Sequence, residues 1–181
     1  MPYDITEERF REVFNLLERA IEDRWGIPIT IRDVPEPFTG DLDGETIDVD
    51  YDLPVDEAVF ILLHLFGHTV QWNAHADTRE LGLMSVKDPD DALLARIEEY
   101  ERAAGRYSLQ LLHDLGIFDL DQWVADYTGA DVRYLMHFYR TGEKPPLERF
   151  WREGEPVAAP VPIPPFQPTR WLSRATGGVV I

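Results

Sequence analysis

One stretch of the chain, VFILLHLFGHTVQW at residues 59–72, limits the possible folds more than any other. Pro54, Asp56 and Glu57 precede it and suit the first turn of a helix, because proline needs no donor there and carboxylates complement the helix dipole. On a helix the stretch is apolar nearly all round, which predicts that it runs through the core. It is too short for a membrane span and contains two histidines, so no membrane association is expected.

The composition favours a single domain: the chain has 181 residues, of which 44% are hydrophobic. It contains no cysteine, so any metal site must use histidine, aspartate, glutamate and water. The formal net charge of −17 disfavours direct binding to nucleic acid. Residues 1–26 form a charged amphipathic pattern without the apolar run of a signal peptide, which predicts a cytoplasmic protein.

The pattern of the first third predicts an α+β fold, with a small antiparallel β-sheet packed on a helical body. Apolar spacing predicts a helix at about residues 6–24, ended by Gly26. Two β-branched segments, IPITIRDV and GETIDVDY, flank the turn-rich PEPFTGDLDG. This arrangement predicts two antiparallel strands joined by a loop.

Helices dominate the rest of the predicted domain, which spans residues 1–143. Residues 74–91 are polar and punctuated by glycine and proline, which predicts a loop. A long helix is expected at about residues 90–115. Further on, Gly129 is expected to end one helical piece and Asp131 to begin the next.

The remaining segment, residues 144–181, is dense in proline and cannot sustain a helix. It predicts an extended tail that packs on the domain, with Phe166 and Trp171 as its anchors.

His64 and His68 are the strongest candidate site residues. Four residues apart on a helix, they lie on one face one turn apart and can bind a single ion, with zinc–nitrogen distances of about 2.0–2.1 Å. The alternative is that both are core histidines bonded to backbone or carboxylate groups. Burying two imidazoles on an apolar helix is costly unless each has a partner, and a metal ion satisfies both.

A metal site needs a third ligand, and the long second helix supplies candidates. Glu101 shares a face with Ala104, Gly105 and Ser108, and these small residues would let this helix approach the histidine helix closely. Glu98 is the reserve candidate. His75 ranks below Glu101, because a continuing helix would place it two turns beyond His68.

The motif HLFGH on an apolar helix, followed about thirty residues later by ERAAGRYSLQLL, resembles the ImmA/IrrE family of zincin-like metallopeptidases, also described as DUF955. The resemblance covers residues 29–112. It implies a zincin-like fold and a zinc site of His64, His68 and Glu101. Leu65, however, stands where the family's HExxH motif has its catalytic glutamate.

The missing glutamate determines the expected function. In HExxH enzymes the glutamate is the general base, which raises the reaction rate by about 10²–10⁴-fold. Leucine cannot accept a proton and so cannot make this contribution. We therefore expect a metal-binding relative of the peptidases with activity lost or reduced. The alternatives are an active peptidase with a displaced base and a non-catalytic module that binds a peptide or protein partner. Glu57 lies about 10.5 Å before His64 along a straight helix, and nothing in the sequence places Glu98, so no base is assigned.

Overall fold

The computed structural model describes residues 3–35 and 38–172, which form an α+β fold. A three-stranded sheet packs beside a helical body. The strands are β1 (Ile29–Arg32), β2 (Gly40–Leu42) and β3 (Ile47–Asp50), and the helices are α1 (Glu7–Trp25), α2 (Val55–Ala74), α3 (Ala76–Gly82), α4 (Asp91–Asp114) and α5 (Asp121–Thr141). A short 3₁₀ helix, Leu147–Phe150, follows.

The first helix, α1, begins and ends where the sequence predicts. Thr6 caps it by accepting a hydrogen bond from the Arg9 N–H, and Gly26 ends it in the left-handed conformation. Its apolar face, which includes Leu17 and Ile21, is fully buried and packs on α2.

The sheet differs from the predicted antiparallel pair. β1 and β3 run parallel, and the antiparallel partner of β3 is β2, which lies inside the segment predicted to be a loop. Asp43 explains the turn between β2 and β3, because its carboxylate accepts hydrogen bonds from the Glu45 and Thr46 N–H groups. β2 has only three residues and contains glycine and aspartate, so its sequence carries no strand signal.

α2 is the central helix, as its apolar sequence predicts. It packs against α1 and α4 and against β2 and β3. Nearly every side chain in residues 59–72 is buried, including Phe66 and Trp72. Among the described residues, no helix is long and apolar enough to cross a membrane.

The prediction of a loop after α2 is wrong, because part of that segment forms helix α3. Two side chains of α3 hold it against the end of α2: Thr78 donates to the Gln71 carbonyl, and Arg79 donates to the Trp72 carbonyl. These tertiary contacts outweigh the polar, punctuated local sequence.

α4 begins at Asp91, within a residue of the predicted start, and Asp90 caps it, because its carboxylate accepts a hydrogen bond from the Leu93 N–H. The predicted break in α5 is wrong, since the helix continues through Gly129 and Asp131. Gly129 does not end the helix but lies beneath the Glu155 side chain of the tail. A methyl group there would lie 2.8 Å from Cγ of Glu155 in the tail, so the absence of a side chain lets the tail cross the helix.

The described part of the tail, residues 144–172, is extended apart from the 3₁₀ helix. Phe166 stacks on Trp25 with 6.1 Å between ring centroids, and Trp171 lies 3.9 Å beneath the guanidinium of Arg79. Asn73 accepts hydrogen bonds from the Thr169 N–H and the Trp171 indole. These contacts tie the tail to the ends of α1 and α2 and to α3.

Candidate metal centre

Helices α4 and α5 both reach the middle of α2. The close approach of α4 to α2 depends on small residues. Gly67, between the two histidines, faces the backbone of Ala104 on α4. Ser108 donates to the Leu63 carbonyl of α2 at 2.8 Å and so links the same two helices. This close contact brings Glu101 of α4 to the histidine face of α2.

The three predicted ligands lie together. Nε2 of His68 lies 3.0 Å from Nε2 of His64 and 3.0 Å from Oε2 of Glu101, and His64 Nε2 lies 3.7 Å from the same carboxylate oxygen. Around a tetrahedral zinc ion with ligand atoms at 2.0–2.1 Å, neighbouring ligand atoms lie about 3.3 Å from each other. The three observed distances between the ligand atoms bracket that value. All three residues are buried.

Gln71 fixes the orientation of His68. The Gln71 amide nitrogen donates to the Tyr100 carbonyl at 2.8 Å, so its oxygen faces His68 Nδ1, also at 2.8 Å. Nδ1 must therefore donate, which leaves the lone pair of a neutral His68 on Nε2 facing the carboxylate of Glu101. Two acceptors at 3.0 Å repel each other unless a proton or a cation lies between them.

Asp131 is the functional candidate that the sequence reasoning missed. It lies on α5, and its Oδ2 is 3.8 Å from His64 Nδ1, within ion-pair distance. The separation is longer than a hydrogen bond, so Asp131 lies beside His64 Nδ1 without binding it directly. An ionised Asp131 carboxylate at this position would favour a proton on Nδ1 and leave Nε2 for a metal. The sequence does carry a signal for Asp131, an aspartate among apolar residues. Gly129, two residues earlier, instead predicts that Asp131 begins a new helix.

The two carboxylates near the histidines have different electrostatic environments. Burial opposes ionisation of Glu101, but when a proton and not a metal ion lies between these groups, the charges of His68 and His64 and the hydrogen bond that His68 then donates hold the pKa of Glu101 below its ordinary value. Burial, followed by repulsion from Glu101, raises the pKa of the Asp131 carboxyl well above its ordinary value. Glu101 is therefore the ionised ligand.

The two other predicted ligands lie elsewhere. Glu98 accepts hydrogen bonds from Arg102 on the outer side of α4. His75 is exposed at the end of α2 and lies 3.1 Å from the Tyr107 hydroxyl. Neither belongs to the buried cluster of possible ligands.

Leu65 occupies the position of the expected catalytic glutamate. Its side chain is buried against β2, where a methyl group on Gly40 would lie 2.7 Å from Cδ1 of Leu65. The position is therefore part of the contact between α2 and the sheet.

Comparisons of the chain with protein-family models, curated proteins and solved structures find no match. The residues of the site themselves, two imidazoles and a carboxylate, form a donor set that suits zinc and also iron, nickel or manganese.

Proposed function

We propose that the protein binds a divalent metal ion, zinc in the first instance, through His64, His68 and Glu101. The observation that carries the proposal is the convergence of three buried ligand atoms at tetrahedral spacing, with the His68 lone pair directed at the centre by Gln71. A zinc ion held there would act as a Lewis acid.

We further propose that the protein is a zincin-like relative of the ImmA/IrrE metallopeptidases in which peptidase activity is lost or reduced. The HLFGH motif supports the relationship, and the Leu65 side chain supports the loss. Leucine cannot accept a proton, and here it also fills the space against β2.

An active peptidase with a displaced base is the second candidate, and Asp131 is the observation that favours it. Its carboxylate comes from a different helix and is the nearest described acidic group to His64 apart from Glu101. In this case Asp131→Asn would abolish peptide hydrolysis that the wild-type protein shows. The leading proposal expects little hydrolysis in either protein.

Metal content tests the site directly. Tag-free wild-type protein purified without chelator is expected to contain about one zinc per chain by mass spectrometry, and His64→Ala and Glu101→Ala are expected to lose it. His75→Ala is the matched control, because it removes a nearby histidine outside the cluster. Metal-free wild type that takes up no added zinc would refute the proposal.

Restoring the missing base tests the family relationship. Leu65→Glu supplies a carboxylate, while Leu65→Gln is nearly the same size and polarity but cannot act as a base at neutral pH. Peptidase activity in the first variant alone would show a cleft that lacks only its base. If both fold, bind zinc and remain inactive, the non-catalytic binding module becomes the better description.

A further inference from the structure

A second candidate site lies away from the metal ligands, between α4, the C-terminal half of α5 and the start of the tail. It is a cavity of about 410 Å³, within the size range of small-molecule sites. Four arginines line it: Arg102 on α4, Arg133 and Arg140 on α5, and Arg152 in the tail. Such a concentration of cations stands out in a chain with a net charge of −17.

Two of these arginines are held in place. Arg133 donates through Nε to the Phe150 carbonyl at 2.9 Å and through Nη1 to Glu155 at 2.5 Å. Arg102 donates twice to Glu98, at 2.9 and 3.1 Å. These interactions fix the directions of both guanidinium groups and neutralise their charge.

The other two arginines carry the uncompensated charge. Within residues 3–35 and 38–172, neither Arg140 nor Arg152 forms an ion pair. Arg140 lies in the last turn of α5, where it also complements the helix dipole. Arg152 lies outside any helix, so it has no such role.

The cavity also has an apolar surface. Val132 and Met136 of α5 are buried and line it, and so does Phe150 of the 3₁₀ helix. The His137 ring, 5.4 Å from that of Phe150, adds a further polar group, and Glu143 lies 3.4 Å from its Nε2. A ligand here meets both cationic and apolar side chains, and Glu98, which also lines the cavity, is paired with Arg102.

We propose that this cavity binds a small organic anion, with a phosphate or carboxylate group placed between Arg140 and Arg152 and an apolar body against Met136 and Phe150. Guanidinium groups bind both oxyanions through paired hydrogen bonds. The cavity uses no metal ligand, so the inference does not depend on the proposed metal centre.

Titration calorimetry with phenyl phosphate, benzoate and inorganic phosphate tests the proposal. Saturable binding of phenyl phosphate or benzoate is expected below about 10 mM, and binding should weaken as the salt concentration rises. Comparing the first two probes identifies the preferred anionic group. Inorganic phosphate should bind more weakly than phenyl phosphate, because it lacks the apolar body.

Matched variants locate the binding. Arg140→Gln with Arg152→Gln should weaken it by at least about tenfold, because the charge-assisted hydrogen bonds are lost. Arg149→Gln, an exposed neighbour that does not line the cavity, should change it by less than about twofold. Thermal unfolding of each variant checks that it is folded.

Two results would overturn the proposal. One is the absence of saturable binding of all three probes to the wild-type protein. The other is binding that survives the double substitution but disappears in His68→Ala, which would place the anion at the metal centre.

Discussion

Gly67 sets the distance between α2 and α4, and Gly67→Ala perturbs that distance directly. A methyl group at this position would lie 2.8 Å from the carbonyl carbon of Ala104 and closer still to its oxygen. Both atoms belong to the backbone of α4, so no side-chain rotation can relieve the contact. Optimal carbon–carbon contacts are about 3.5–4.0 Å, so the helices must separate by at least about 0.7 Å.

The separation acts on both the stability of the protein and the geometry of the proposed metal site. Alanine is favoured over glycine within a helix by about 1 kcal/mol, whereas overpacking costs about 1–3 kcal/mol, so the net destabilisation should be no more than about 2 kcal/mol. Glu101 moves with α4, away from ligands on α2. Metal sites tolerate displacements of only about 0.5 Å, so zinc affinity should fall by about ten- to hundredfold.

The assay is a zinc competition titration combined with urea unfolding of the metal-free protein. Gly105→Ala is the control, because it adds the same methyl group to α4 next to Ala104. Its nearest neighbours are side-chain atoms of Thr128, at 3.2 and 3.3 Å, which can move. It should keep wild-type zinc affinity. Wild-type affinity in folded Gly67→Ala would refute the idea that this close approach creates the site.

Three other side chains give separate predictions. Gln71→Met should lower zinc affinity by about ten- to hundredfold in a competition titration, because His68 loses the acceptor that orients it; unchanged affinity would contradict this role. Asn73→Ala should destabilise the protein by about 1–3 kcal/mol and speed limited proteolysis of the tail, because two tail N–H groups lose their acceptor; cleavage at the wild-type rate would count against it. Asp126→Asn should be less stable than the wild-type protein at pH 7, and the difference between their free energies of unfolding should shrink as the pH falls below about 4. Urea unfolding of both proteins from pH 7 to pH 3 measures this difference.

The sign of the Asp126 effect follows from its surroundings. Burial opposes ionisation, but hydrogen bonds, led by that from the Tyr3 hydroxyl, hold the pKa below its ordinary value. The unfolded state therefore binds more protons near pH 4, so the contribution of Asp126 is complete above about pH 3.9 and disappears as pH falls through the native pKa. A stability difference that widens in acid would contradict the assignment.

Local sequence signals were reliable where one element determines its own structure. Thr6 and Gly26 mark the ends of α1, Asp90 caps α4, and the apolar run of α2 lies in the core. The spacing of His64 and His68 on one helix face is likewise a property of the helix alone. Glu101 was selected over Glu98 and His75 on two grounds, the small residues on its helix face and the resemblance to the ImmA/IrrE motif, and it lies beside the two histidines.

The errors lie where distant segments decide the outcome. β2 pairs with β3, the side chains of α3 bond to the end of α2, and α5 continues through Gly129, where the Glu155 side chain of the tail packs on it. In each case contacts between distant segments outweigh weak or misleading local signals.

The sequence by itself determined helices α1, α2 and α4, the absence of thiolate ligands and the three candidate metal ligands. Only the tertiary structure decided that Asp131 and Gln71 lie beside the histidines, that Leu65 packs against β2, and that four arginines surround one cavity. The physical reason is that helix periodicity fixes which side chains share a face, whereas the faces that meet depend on how the whole chain packs.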